Sequence, residues 1–199
     1  MAIKTSPGAG EVHDSRTISA SLTDPERFAE IFHRHWDEIH RYIARRLGPE
    51  PAEDVGAETF TVAFRNRGRY DLTRTDARPW LYGIATNLIG QHRRAERRRH
   101  RLLARTGADR VSASFTDSSD ARVTAERLGP RVASVLAGLP AGERDLLLLI
   151  AWADLTYEEA AEALGVPMGT VRSRLHRVRK KIRRAFGDID PTSLREAPE

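Results

Sequence analysis

The chain has 199 residues, and its 33 Lys and Arg against 28 Asp and Glu leave a formal net charge of +5, which favours an anionic partner. It contains no cysteine, so disulfides and zinc–thiolate sites are excluded. No apolar run approaches the roughly 20 residues that span a bilayer, and residues 1–22 lack the apolar stretch of a signal peptide.

Residues 1–22, rich in Gly, Ser and Thr, read as a disordered tail. Phe28, Ile31, Phe32, Ile39, Tyr42, Ile43 and Leu47 then recur at helical spacing, which predicts an amphipathic helix over 24–47. Asp24 is its expected N-cap with Pro25 at the first helical position, and Gly48-Pro49 ends it. A second helix, about 51–66, carries Val55, Thr59, Val62 and Ala63 on one side. Its acids Glu53, Asp54 and Glu58 sit in the first turns, where the helix dipole favours them. Residues 67–78 show no periodicity and read as a loop. A third helix, about 79–100, buries Leu81, Ile84, Ala85 and Leu88 and ends in Arg93, Arg94, Arg97, Arg98 and Arg99.

Composition then shifts to Gly, Ser, Thr and Asp over 106–120, the mark of a linker. A second helical block ends near Phe186 and contains the apolar run Leu146 to Ile150, which suits a buried helix. No strand pattern persists. The expected fold is all-α, two small helical domains on a flexible tether: a tail over 1–22, one domain over 23–103, a linker over 104–128, a second domain over 129–187 and a C-terminal tail over 188–199.

The densest signal lies in the second domain. Thr156 and Glu159 form a Thr-x-x-Glu capping box, Leu155 and Ala160 occupy hydrophobic-staple positions, and Gly165 stands where the chain turns. Val171, Leu175, Val178 and Ile182 follow at spacings of 4, 3 and 4, an apolar stripe, while Arg172, Ser173, His176, Arg177 and Lys180 fall on another face. A helix set in the major groove needs that arrangement. Between Val171 and Arg184 there are eight Lys and Arg and no acid, and between Arg65 and Arg105 twelve Arg against three acids. Thr170 reads either as a cap or as a contact, and His176 either as a packing residue or as a base contact. Lys181, Arg183 and Arg184 fit phosphate or solvent better than bases.

Leu139-Pro140 with Glu143-Arg144, Leu155 to Ala161, and Gly169 to Leu175 resemble region 4 of the extracytoplasmic-function (ECF) sigma factors of the sigma-70 family. Ala52 to Val55 with Glu58-Thr59-Phe60 resembles region 2.2, and Trp80 to Leu88 resembles regions 2.3 and 2.4. The resemblance covers roughly 24–100 and 130–186. It implies a protein that binds core RNA polymerase through the β and β′ subunits and directs it to promoter DNA, with region 4 reading the −35 element and region 2 recognising and melting the −10 element. By position, Thr170, Arg172, Ser173, His176 and Arg177 would face the −35 element. Tyr70, Asn87, Gln91 and Arg94 would serve the −10 element, with loop 68–78 supplying a pocket for an unstacked base. Asp54, Glu58 and Phe60 would dock on the polymerase. An anti-sigma factor is the further implied partner. The resemblance implies no enzymatic activity, cofactor, metal or small-molecule substrate, and a cytoplasmic location.

The residues alone leave blander accounts open: Trp80 and Tyr82 fit a core better than a base pocket, and the acids of the second helix could serve only its dipole. His33, His35 and His40 read as surface or partly buried residues, since no acid–His pattern recurs as a metal site requires. The loop, Tyr70 to Trp80, carries extra charge and Pro79 where the family often has a small or aromatic residue, which leaves −10 base identity open. The rival functions are a stand-alone helix-turn-helix regulator, which does not account for the first domain, and a nucleic-acid-modifying enzyme, which would need clustered ligands.

Overall fold

A computed structural model of the chain describes residues 13–105 and 130–186, and every element among them is helical. The first module opens with α1 (Asp14–Ser21), followed by a 3-10 turn (Pro25–Phe28) and α2 (Ala29–Leu47). Asp24 caps the turn, its carboxylate accepting from the Glu26 amide at 3.3 Å, with Pro25 behind it as expected. Gly48, at φ +90°, lets the chain pass directly into α3 (Pro49–Asn66). A 3-10 turn (Arg67–Arg69) and a loop lead to α4 (Arg78–Arg105).

One expectation fails here. Residues 14–21 form α1 instead of continuing the tail. Ile18 and Ser21 are fully buried, and Asp14 is only 3 % exposed. A short polar segment has no helical periodicity worth reading, and tertiary contacts, not propensity, order it. Residues 1–12 of the expected tail, most of the expected linker and the C-terminal tail lie outside the described residues. The expected linker begins inside α4.

Ile31, Ile39 and Ile43 of α2, Ala52 and Val55 of α3, and Leu81, Ala85 and Ile89 of α4 make the first core. Aromatic rings extend it: Phe32 and Phe60 meet edge-on at 5.1 Å, and Trp36 lies 5.9 Å from Phe60. The second module comprises α5 (Pro130–Ala137), α6 (Ala141–Ala151), α7 (Tyr157–Leu164) and α8 (Met168–Phe186). Leu146, Leu149, Ala160, Val171 and Val178 are its most buried apolar residues.

The two modules pack together, α4 against α7. A Cβ on Gly83 would lie 2.5 Å from the Ala163 carbonyl oxygen, so the approach tolerates no side chain there. Buried Arg46 of α2 donates to the Tyr42 hydroxyl at 2.9 Å and across the interface to Asp145 at 2.5 Å. Arg78 donates to the Ala153 carbonyl at 2.8 Å, and Arg74 meets Glu162 at 3.2 Å.

Candidate nucleic-acid interface

The α7–α8 pair is built from local chemistry. Thr156 accepts from the Glu159 amide at 3.2 Å while the Glu159 carboxylate accepts from the Thr156 amide at 2.7 Å, a closed capping box. Gly165 ends α7 in the left-handed conformation, φ 60°. The Val166 and Gly165 amides return to the Ala161 and Glu162 carbonyls, each at 3.0 Å, a Schellman turn that sets where α8 begins. Val171, Leu175 and Val178 are buried, and Ile182 is half-buried. The stripe thereby turns Arg172, Ser173, His176 and Arg177 outward, all four exposed. His176 is thus presented to solvent and not packed inside. Thr170 is half-buried, and its carbonyl accepts from the Ser173 hydroxyl at 3.0 Å.

Arg177 is less free than its exposure implies. Its Nε donates to Glu143 at 2.8 Å, and Lys181 donates to the other oxygen of the same carboxylate at 2.9 Å. Burial of Glu143 would raise its pKa, but the hydrogen bonds from Lys181 and Arg177 outweigh it and hold the carboxyl below its ordinary range. Glu143 belongs to the sequence motif, yet a single sequence does not reveal that it ties α6 to the basic helix.

On α4, Asn87, Gln91 and Arg94 are exposed and spaced 4 and 3 apart, so they share one face. Tyr70, expected beside them, is buried at 8 % exposure. Its hydroxyl lies 3.0 and 3.1 Å from the Arg74 and Asp76 carbonyl oxygens, to which it donates, and its ring sits 5.0 Å from Trp80. Burial, followed by the nearby carboxylates, raises its pKa, so the hydroxyl stays a donor. Tyr70 thus shapes the loop from beneath and does not share the exposed face of Asn87, Gln91 and Arg94. The loop's outer residues, Asp71 to Thr75, are all exposed. Asp71 folds its start by accepting from the Thr73 amide at 3.0 Å and hydroxyl at 2.7 Å. Tyr82 is buried, 5.1 Å edge-on to Tyr42, and Trp80 is half-buried, as the packing account expected.

On α3, Asp54 and Glu58 are exposed. Phe60 is 4 % exposed within the aromatic cluster, where it packs α3 on α2, and it does not share the exposed face of Asp54 and Glu58.

His35 also departs from expectation, since it is buried at 5 % exposure. Its Nε2 lies 2.8 Å from Asp14 and its Nδ1 2.7 Å from Glu38. Burial alone would lower its pKa, but the hydrogen bonds to Asp14 and Glu38 prevail and raise it to about 9, so the ring is an imidazolium donating from both nitrogens. Asp14, His35 and Asp76 could bring ligand atoms within 4.8 Å of one another. Asp14, however, also accepts from Arg34 and from the Ala77 amide, so its lone pairs and both His35 nitrogens are engaged in an ion-pair network.

Residues 31–99 match the family model for sigma-70 region 2, and residues 131–182 match the model for sigma-70 region 4. The chain is 30 % identical over 174 residues to the ECF RNA polymerase sigma factor SigW of Bacillus subtilis, covering 83 % of this chain and 92 % of that one. It is 36 % identical over 157 residues to the ECF RNA polymerase sigma factor SigE of Mycolicibacterium smegmatis, covering 77 % of this chain and 59 % of that relative's length. Its fold is similar to CnrH, solved in complex with the cytosolic domain of CnrY, at a TM-score of 0.59 and 24 % identity over 89 % of this chain and 99 % of that one. It is also similar to the sigma factor RpoE of Bartonella quintana, solved with the anti-sigma factor NepR, at a TM-score of 0.54 and 19 % identity over 82 % and 98 % of the two chains.

Proposed function

We propose a division of labour for this chain, which belongs to the extracytoplasmic-function sigma factors of the sigma-70 family and directs promoter-specific transcription initiation by RNA polymerase. The α8 face of Arg172, Ser173, His176 and Arg177 reads the −35 element in the major groove. The α4 face of Asn87, Gln91 and Arg94, with the exposed loop 71–75, recognises and melts the −10 element. Asp54 and Glu58 on α3 dock on core polymerase. The first domain takes in α1 and extends to about 103, and the second covers about 129–187.

The observation that carries this is the presence of two separate exposed polar faces, one on each module, each on a helix whose other side is buried. Phosphate contacts from the arginines of α4 and α8 would add affinity without sequence preference. Sigma factors are regulatory, non-catalytic proteins, and this chain is read as using no cofactor, metal or small-molecule substrate. Its place of action is the cytoplasm, where polymerase works; no helix among the described residues is long and apolar enough to cross a membrane. An anti-sigma factor is the regulator that the likeness to CnrH and RpoE supports.

A crossed assay with reconstituted holoenzyme tests the division. Arg172→Ala should weaken −35 binding by about 1–3 kcal/mol if the contact is bidentate, and Asn87→Ala should impair open-complex formation more than −35 binding. Equal losses in both assays for both variants would refute it.

A further inference from the structure

We propose that Asp14 and His35 are positioning residues for promoter recognition: together they staple the loop 70–77 in the shape that presents its outer residues to the −10 element. The inference rests on the assignment of that loop to −10 recognition made above.

The loop buries little of itself. Between Tyr70 and Ala77 every residue from Asp71 to Thr75 is exposed, and Asp76 is half-buried. Hydrogen bonds at a few points must therefore set its path. Tyr70 supplies one point from below. Within the loop Asp71 accepts from the Thr73 amide and hydroxyl, and Arg74 pairs with Glu162 of α7. Asp14 anchors the far end with two bonds. Its amide donates to the Thr75 carbonyl at 2.9 Å, and its carboxylate accepts from the Ala77 amide at 2.8 Å. The second bond fixes the peptide just before α4 begins, the helix that carries Asn87.

A carboxylate on a side chain only 5 % exposed needs countercharge to stay ionised there. His35 and Arg34 of α2 provide it, each donating to Asp14. His35 is held in turn by Glu38, and Glu38 accepts from Arg78 of α4 at 3.0 Å. The chain of bonds therefore runs from α1 through α2 to the first residue of α4 and closes around the loop. A loop that reads a base must be ordered before the base arrives, or binding bears the cost of ordering it.

The test uses the full chain with core polymerase and a promoter recovered by that holoenzyme from a randomised duplex pool, with single-base variants of its −10 and −35 elements. Asp14→Ala should reduce discrimination among the −10 variants by about tenfold, the order of one lost base contact. Discrimination among −35 variants and affinity for core polymerase should stay near the parent's. Asp14→Asn, which keeps an acceptor for the Ala77 amide, should recover part of the loss, and His35→Gln should fall between. Faster hydrogen exchange at the Ala77 amide should accompany each loss. Parent-like −10 discrimination in a folded Asp14→Ala protein overturns the proposal; if that variant loses its helical signal, parent-like discrimination in both Asp14→Asn and His35→Gln overturns it instead. An equal loss at −10 and −35 also overturns it, as the mark of general destabilisation. Thr73→Ala with Arg74→Ala separates the two assignments: unchanged −10 discrimination in that double variant defeats the loop's role as a reader, whatever Asp14 does.

Discussion

The two modules present polar groups to DNA by opposite means. The second does it with a helix: the stripe of Val171, Leu175 and Val178 is buried, and the opposite face is thereby exposed in register. In the first, the exposed loop proposed to read the −10 element takes its shape in part from its own Tyr70 and from Asp14 of α1. A helical face is set by spacing within one segment. A loop is set by contacts between segments, and in this chain those contacts are buried and charged.

The contrast can be broken most severely at its apolar end. Leu175→Ala removes a residue 5 % exposed from the smaller module and should cost about 2–5 kcal/mol of that module's stability. Its denaturant midpoint should drop with the −35 binding it supports, while Asn87-dependent opening should survive on fragments carrying only the −10 element. Loss of the −10 activity as well would mean that the modules are not separable.

Gly83→Ala should act at the seam between them. The added carbon meets the Ala163 backbone oxygen at 2.5 Å, and a backbone atom cannot swing aside as a side chain can. The expected cost to the docked arrangement is about 1–3 kcal/mol. X-ray scattering should report a larger radius of gyration, with both modules still helical by circular dichroism. An unchanged radius would show that the seam yields without opening.

The third contrast is the dependence on pH between 6.5 and 9, a window in which it should belong to the first module. His35 has its pKa raised from 6.5 to about 9 by Asp14 and Glu38 against the opposing effect of burial. A raised folded-state value means that its stabilisation is fully present below about pH 6.5 and is lost as pH climbs through about 9. Denaturation followed from pH 6.5 to 9 should therefore show the first module weakening in the parent and less so in His35→Gln. An identical slope in the two proteins would remove His35 from the network.

Much of the second module was legible because its signals are local. Capping box, turn glycine and apolar stripe each lie within a single segment, and all stand where the spacing put them. Asn87, Gln91 and Arg94 on α4, and Asp54 and Glu58 on α3, are exposed for the same reason. The burial of Tyr70 and Phe60 was not legible, because an aromatic residue suits a binding surface and a core equally well, and only neighbours decide. Phe32 and Trp36 decided for Phe60, and the loop carbonyls decided for Tyr70.

The sequence by itself determined the all-α class, the two modules, the basic reading helix and the family, because helical period and capping chemistry act over a few residues. Tertiary structure alone decided that 14–21 is a helix, that His35 is a buried cation, that Glu143 restrains Arg177, and that Gly83 sits against Ala163. Each of the last three joins residues more than 20 positions apart in the chain, and α1 is held by such joins from Asp14 to His35 and Ala77. Burial and charge pairing act through space, and no local pattern records which distant residue will supply the partner.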